Sequence, residues 1–175
     1  MEAKTKSTIL KTIIHYIDRL NAALGSFASW STLLLVLLVC LDVVLRYFFQ
    51  WSRVWMMELE MYLFAIIFLL GSAYAFQMDR HVRVDVFYSN MSIKKQAFVN
   101  IVGGLIFLLP WTLVMIYISQ RYFLKSLRIG ESSSQPGGLP ALYLLKCLLL
   151  LGFFLLFLQG ISSIYKSLIE LKKNF

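Results

Sequence analysis

The segment from Arg46 to Asp85, RYFFQWSRVWMMELEMYLFAIIFLLGSAYAFQMDRHVRVD, restricts what this chain can fold into more than any other. A charged turn flanked by aromatic residues opens it, a mostly apolar run from Val54 to Met78 follows, and Arg80 and Arg83 close it. A helix crossing a bilayer needs about 20 apolar residues, with charged and aromatic flanks holding its ends in the headgroup layers. Three further runs repeat the arrangement. The sequence therefore predicts an all-α integral membrane protein with four transmembrane helices, over about residues 24–49, 54–78, 97–119 and 139–164, in one membrane domain over 24–165.

The periodicity of the ends adds two smaller parts. Ile9, Leu10, Ile13, Ile14, Ile17 and Leu20 recur at helical spacing, which predicts an amphipathic interfacial helix within residues 1–23, lying at the membrane surface ahead of the first span. This N-terminal segment lacks a compact apolar core followed by a small-residue cleavage site, so it is expected to be retained. Residues 166–175 form a basic tail.

Polar residues inside the apolar runs are the candidates for function. Asp42 and Arg46 stand four apart near the end of the first span, on one helical face, in the order that favours an ion pair. Either charge alone would cost about 2.5–3.5 kcal/mol in the bilayer, so pairing or snorkelling is expected. Ser52 is a plausible N-cap of the second span, with Glu58 and Glu60 in its first turns and Trp51 and Trp55 as interfacial anchors. Gly71, Ser72, Ala73 and Ala75 offer a face of small residues for close helix approach. In the third span Gly103 and Gly104 precede Pro110, where a kink is expected. GESSSQPGGLP, residues 130–140, is a sharp break, and Lys146, about two turns into the last span, can snorkel outward or meet Glu131. Gln159 is the other polar interruption of that span.

Composition excludes several classes. The chain is 59% hydrophobic against about one half for a soluble domain. Its net charge of +8 comes from residues scattered at the ends of apolar runs, which marks topology and argues against nucleic acid as a partner. Most of the 17 basic residues fall in the N-terminal segment, the 79–95 loop and the tail, so both termini are expected in the cytoplasm and the 130–140 loop outside. Cys40 and Cys147, each within an apolar run, read as small buried hydrophobes. His15 and His81 cannot pair as axial ligands within the spans, His81 reads as a loop residue in an irregular turn, and no phosphate loop, nucleophile elbow or HExxH helix occurs. No cofactor is expected on this chain. With no evident inverted repeat or pair of broken helices, a self-sufficient transporter is weakly supported, and the residues alone describe a four-helix membrane protein with packing faces.

The order and spacing of several motifs carry a resemblance. Arg46-Tyr47-Phe48-Phe49, Trp55-Met56-Met57-Glu58-Leu59, FLLGSAYAFQMDRHVRVD, the GESSSQPGGLP loop leading into LLKCLLLLGF, and FLQGI together resemble the small membrane subunit, DctQ type, of tripartite ATP-independent periplasmic (TRAP) transporters, from about Leu24 to Tyr165. The resemblance implies a non-enzymatic scaffold in a bacterial inner membrane. It also implies uptake of an organic acid with sodium, with membrane lipids, a large elevator-type subunit (DctM type) and a periplasmic substrate-binding protein (DctP type) as partners, and sodium on the large subunit. Arg46, Glu58, Gly71 and the His81 to Asp85 segment match the family pattern, whereas Asp42 departs from it. On this basis Asp42, Arg46, Glu58 and Gly71 are expected to form a polar and packing cluster at the large-subunit contact. Arg53, Arg121, Lys125, Arg128 and Glu131 become candidates for docking the binding protein, and Trp51, Trp55 and Lys146 are expected to anchor the chain. The competing reading is a homodimeric four-span exporter coupled to protons through Asp42, which Arg46 disfavours by holding the acid ionised.

Overall fold

The computed structural model describes residues 2–78, 88 and 91–173. The basic segment with Arg80, His81, Arg83 and Asp85 lies outside the described residues. In chain order the elements are α1 (Glu2–Phe49), α2 (Val54–Gln77), α3 (Ile93–Gly103), a π-helical turn (Gly104–Leu108), α4 (Leu109–Ile129) and α5 (Tyr143–Lys173). The third span runs unbroken from Ile93 to Ile129, so four helices are long and apolar enough to cross a membrane, as the sequence predicts. No strand occurs among the described residues.

The amphipathic segment is present but is not a separate helix. It continues into the first span as the 48-residue α1, which at about 1.5 Å per residue is about 72 Å long and exceeds a hydrocarbon core of about 30 Å. Its covered face differs from the apolar stripe read in the sequence. Ile14, Asn21, Ala28 and Asp42 are buried at multiples of seven residues, with Gly25 and Ser31 buried between them, while Leu10, Ile13 and Leu20 are exposed. A seven-residue repeat is the seam of a helix packed at a shallow angle on its neighbours.

The helices do not form a square bundle. α1 packs mainly on α2, α2 packs on α5, and α5 also takes α3 and α4, so α5 joins the first hairpin to the third span. A core of Ala28, Leu70, Ala73 and Leu155 forms where α1, α2 and α5 meet, with Leu24 and Ile66 packed against it. Gly152 brings α5 onto α2, since a Cβ there would stand 2.9 Å from the Leu69 Cβ and 3.1 Å from its carbonyl oxygen. On α4, Thr112, Ser119 and Ser126 are fully covered at seven-residue spacing.

Pro110 acts through a widened turn. It has no N–H to donate, and its ring would strike the carbonyl four residues back in a regular helix. The π-helical turn just before it relieves the clash, with the Leu109 N–H reaching the Gly104 carbonyl five residues back. The Thr112 hydroxyl, two residues beyond, donates to the Leu108 and Leu109 carbonyls at 2.7 and 3.0 Å. Three local expectations change. Arg53 rather than Ser52 occupies the N-cap position of α2, and no side chain caps that helix. Cys40 is exposed and Cys147 only half-buried, because a residue within an apolar span can face lipid instead of protein.

Gly152→Ala should lower stability by about 1–3 kcal/mol, since the extra methyl forces α2 and α5 apart. Gly103→Ala, where a Cβ meets nothing within 4 Å, should be neutral or stabilising. Denaturant titration of the detergent-solubilised protein, followed by circular dichroism, distinguishes the two.

Candidate functional site

Two polar constellations stand out, one at each end of the bundle. The first lies at the loop end, where α1 meets α2 and α4 meets α5. α1 ends with Gln50 in the left-handed region (φ +48°) and the Trp51 N–H donating to the Leu45 carbonyl at 3.1 Å. α4 ends similarly, with Gly130 at φ +58° and the Glu131 N–H on the Ser126 carbonyl at 3.0 Å. Both are closures in which a residue just past the helix satisfies a carbonyl of its last turn.

The 130–142 loop then folds on itself. The Ser133 N–H donates to the Leu139 carbonyl at 3.1 Å, and the Leu142 N–H to the Glu131 carbonyl at 2.9 Å. Glu58, on α2, locks this fold: its carboxylate accepts the Ser133 hydroxyl through Oε1 and the Leu139 N–H through Oε2, the latter at 2.6 Å. Charge-assisted bonds of this type are worth about 1.5–3 kcal/mol each when shielded from water. Glu131 accepts from the Lys146 ammonium at 2.5 Å, the partner expected from the spacing. Lys146, one of the expected anchors, also lies 5.9 Å from the Tyr122 ring centroid. The Lys146 ammonium holds the Glu131 carboxyl below its ordinary range, with Lys125 adding in the same direction.

Asp42, Arg46, Glu58 and Gly71 are not brought into one cluster. Asp42 is buried and paired with Arg46, as their spacing implies. Glu58 points to the 130–142 loop instead, and Glu60 is the acid close enough to Asp42 and Arg46 to feel their charges. Two residues along a helix turn the side chain by about 200°, which separates the two glutamates onto opposite faces. Asp42 Oδ1 and Glu60 Oε1 are buried without hydrogen-bond partners among the described residues. Gly71 faces α1, where an added Cβ would meet the Ala28 Cβ at 3.9 Å, an ordinary contact distance.

The remaining sequence candidates form a basic rim. Arg53 lies 5.5 Å from the Trp51 ring centroid, and Trp51 meets Trp55 edge-on at 6.3 Å. Arg121 stacks over Tyr117 at 4.4 Å, and Arg121, Lys125 and Arg128 are exposed along α4.

Sequence reading missed the second constellation. At the end of the bundle that carries both termini, the Asn21 amide donates to the Gln159 carbonyl oxygen at 2.6 Å, and the Gln159 amide donates to Asp18 at 3.1 Å. The Ser162 hydroxyl joins at 3.0 Å and the Lys166 ammonium at 2.7 Å. Asn21, Gln159 and Ser162 are buried, so the polar side of the amphipathic segment is the side turned toward α5. The available signal was the register Asp18, Asn21, Gly25, Ala28, a seam of small and polar residues at three- and four-residue steps. Among the described residues no three His, Cys, Asp or Glu side chains are grouped to hold a metal ion.

Glu58→Ala should accelerate amide exchange at Leu139 at least about tenfold, because a lost bond of about 1.4 kcal/mol or more corresponds to that factor. The Glu131 carboxyl is depressed in the folded protein, so its contact with Lys146 supports the loop above the unfolded carboxylate range and is lost as pH falls through the depressed value. Exchange measured across acid pH on peptides covering 131–142 should show the loop loosening, and Glu131→Gln should remove that part of the response.

Comparison with known proteins places this arrangement. A family model described as the DctQ component of tripartite ATP-independent periplasmic transporters matches residues 35–170, more than half of the chain. No curated protein matches it.

Proposed function

The chain belongs to the DctQ component family of the tripartite ATP-independent periplasmic transporters, and from that membership we propose that it is the stationary scaffold of its transporter. The family is a transporter component and not an enzyme family. In this reading the chain braces a larger subunit that carries the substrate and sodium sites and moves during uptake of an organic acid. Its loop end helps to dock a periplasmic substrate-binding protein. The termini lie on the cytoplasmic side of a bacterial inner membrane, where most of the basic residues would then fall.

The observation that carries the scaffold reading is the build of α1. One unbroken helix is tied to α2 and α5 along its seam, while Leu33, Leu37, Leu41, Val44 and Phe48 on another face are 44–81% exposed. A moving partner needs a wall that does not bend, and this face is a rigid apolar wall of that kind. The locked 130–142 loop and the exposed Arg53, Arg121, Lys125 and Arg128 suit a docking surface for a soluble partner with an acidic face. Glu131 is engaged by Lys146 and enters that surface as part of the pair. The ion pair that Asp42 makes through Oδ2 with Arg46 suits it to anchoring the end of α1.

Pull-down of the tagged full chain from native membranes should recover a much larger multi-span subunit in constant ratio. Recovery of this chain alone, as a homodimer that transports in liposomes, would overturn the scaffold reading. Joint substitution Arg121→Glu, Lys125→Glu and Arg128→Glu should raise the binding-protein concentration needed for half-maximal uptake about tenfold at low salt, with the maximal rate kept. Uptake by reconstituted vesicles with added binding protein measures both quantities.

A further inference from the structure

A pocket of about 240 Å³ opens between the first turns of α1 and the last turns of α5, beside the Asp18 network. α1 contributes Lys11, Ile14, His15 and Asp18, and α5 contributes Tyr165, Lys166 and Ile169. Lys11, His15 and Asp18 follow at steps of four and three, so they share the face that α1 turns toward α5.

The charge of the pocket is unequal. Its one acid, Asp18, already receives the Lys166 ammonium, the Gln159 amide and the Ser162 hydroxyl. Lys11 and His15 are exposed and make no ion pair among the described residues. With His15 counted neutral, Lys11 and Lys166 against Asp18 leave one positive charge, which matches a single phosphodiester. Ile14 and Ile169 give the pocket apolar walls, and the neighbouring turns expose Leu10, Ile13 and Leu168.

We propose that this pocket binds the headgroup of a monoanionic phospholipid. The phosphate sits among Lys11, His15 and Lys166, and the acyl chains run along the exposed apolar residues of the adjoining turns. A basic pocket between two helix ends at the edge of the apolar spans has the position and the chemistry for such a headgroup. A free phosphate would meet the same cations but would leave the flanking apolar surface unused. The bound lipid bridges α1 to α5 just beyond the Asn21–Gln159 contact and secures the arm of α1 that extends past the family-matched region. The site depends neither on the identity of the transported substrate nor on which side of the membrane the termini occupy, so its failure leaves the scaffold reading intact.

Native mass spectrometry of the purified full chain, titrated with phosphatidylglycerol or with phosphatidylcholine of the same acyl chains, tests the site. Phosphatidylglycerol should bind more tightly, and Lys11→Gln should weaken it about fivefold, the worth of one surface cation. Lys11→Gln with His15→Gln should weaken it further, Lys11→Arg should restore it, and millimolar inorganic phosphate should leave the lipid bound. Lys11 and His15 are exposed, and equal melting temperatures of variant and parent confirm that folding is kept. Equal affinity for the two lipids, unchanged binding in the double variant, or displacement of the lipid by inorganic phosphate would each overturn the proposal.

Discussion

Lipid tails are as apolar as leucine, so burying leucine between two membrane helices gains little over leaving it in the bilayer. The contacts left to hold such helices together are close packing and interhelical hydrogen bonds, and the covered faces of α1 and α4 carry the small and polar residues that permit them. α1 turns Asn21, Gly25, Ala28, Ser31 and Asp42 inward and leaves Leu33, Leu34, Leu37 and Leu41 exposed. α4 covers Thr112, Ser119 and Ser126 while Trp111, Leu113 and Tyr122 are exposed. On these two helices most large apolar side chains face outward and small or polar ones face the neighbouring helix, whereas α2 buries Met56, Leu63 and Leu70.

That constraint explains why α5 can serve as the hub. Gly152 lets it approach α2, and at Gly160 a Cβ would meet the Leu108 side chain at 2.8 Å, so the same helix lies close against partners on two sides. Between these contacts Gln159 is satisfied by Asn21 and Asp18. Interhelical hydrogen bonds in membranes are worth about 0.6 kcal/mol on average, so this network matters less for total stability than for register. The Asn21 and Gln159 amide donors have their partners at one sliding position of α1 against α5, and any other leaves those buried donors unpaired, at about 1–3 kcal/mol each. The loop end is held in a comparable way by Glu58, with the Lys146–Glu131 pair alongside. These contacts hold the helices at both ends and along the seams.

Much of this was legible in the residues. Four spans, the Asp42–Arg46 and Lys146–Glu131 pairs, the small-residue face around Ala73 and a disturbance at Pro110 follow from hydropathy, helical spacing and the chemistry of proline. The direction taken by Glu58 was not legible, because its partners Ser133 and Leu139 are 75 and 81 residues away and meet it only when α2 and α5 lie side by side. The inward polar face of the first turns was misjudged for a related reason. Apolar residues at helical spacing mark the buried face in water, whereas here Leu10, Ile13 and Leu20 of that stripe are exposed and the covered residues include the polar Asn21 beside Ile14.

The sequence by itself determined the class of structure, its four spans and its family, since run length, flanking charge and motif order are local properties that survive any packing arrangement. Only the tertiary structure decided which face of each helix is an interface, that α5 is shared by all its neighbours, and which acid serves which partner. In a membrane those choices rest on steric fit and on hydrogen bonds between distant residues, and neither leaves a hydrophobic pattern along the chain to read.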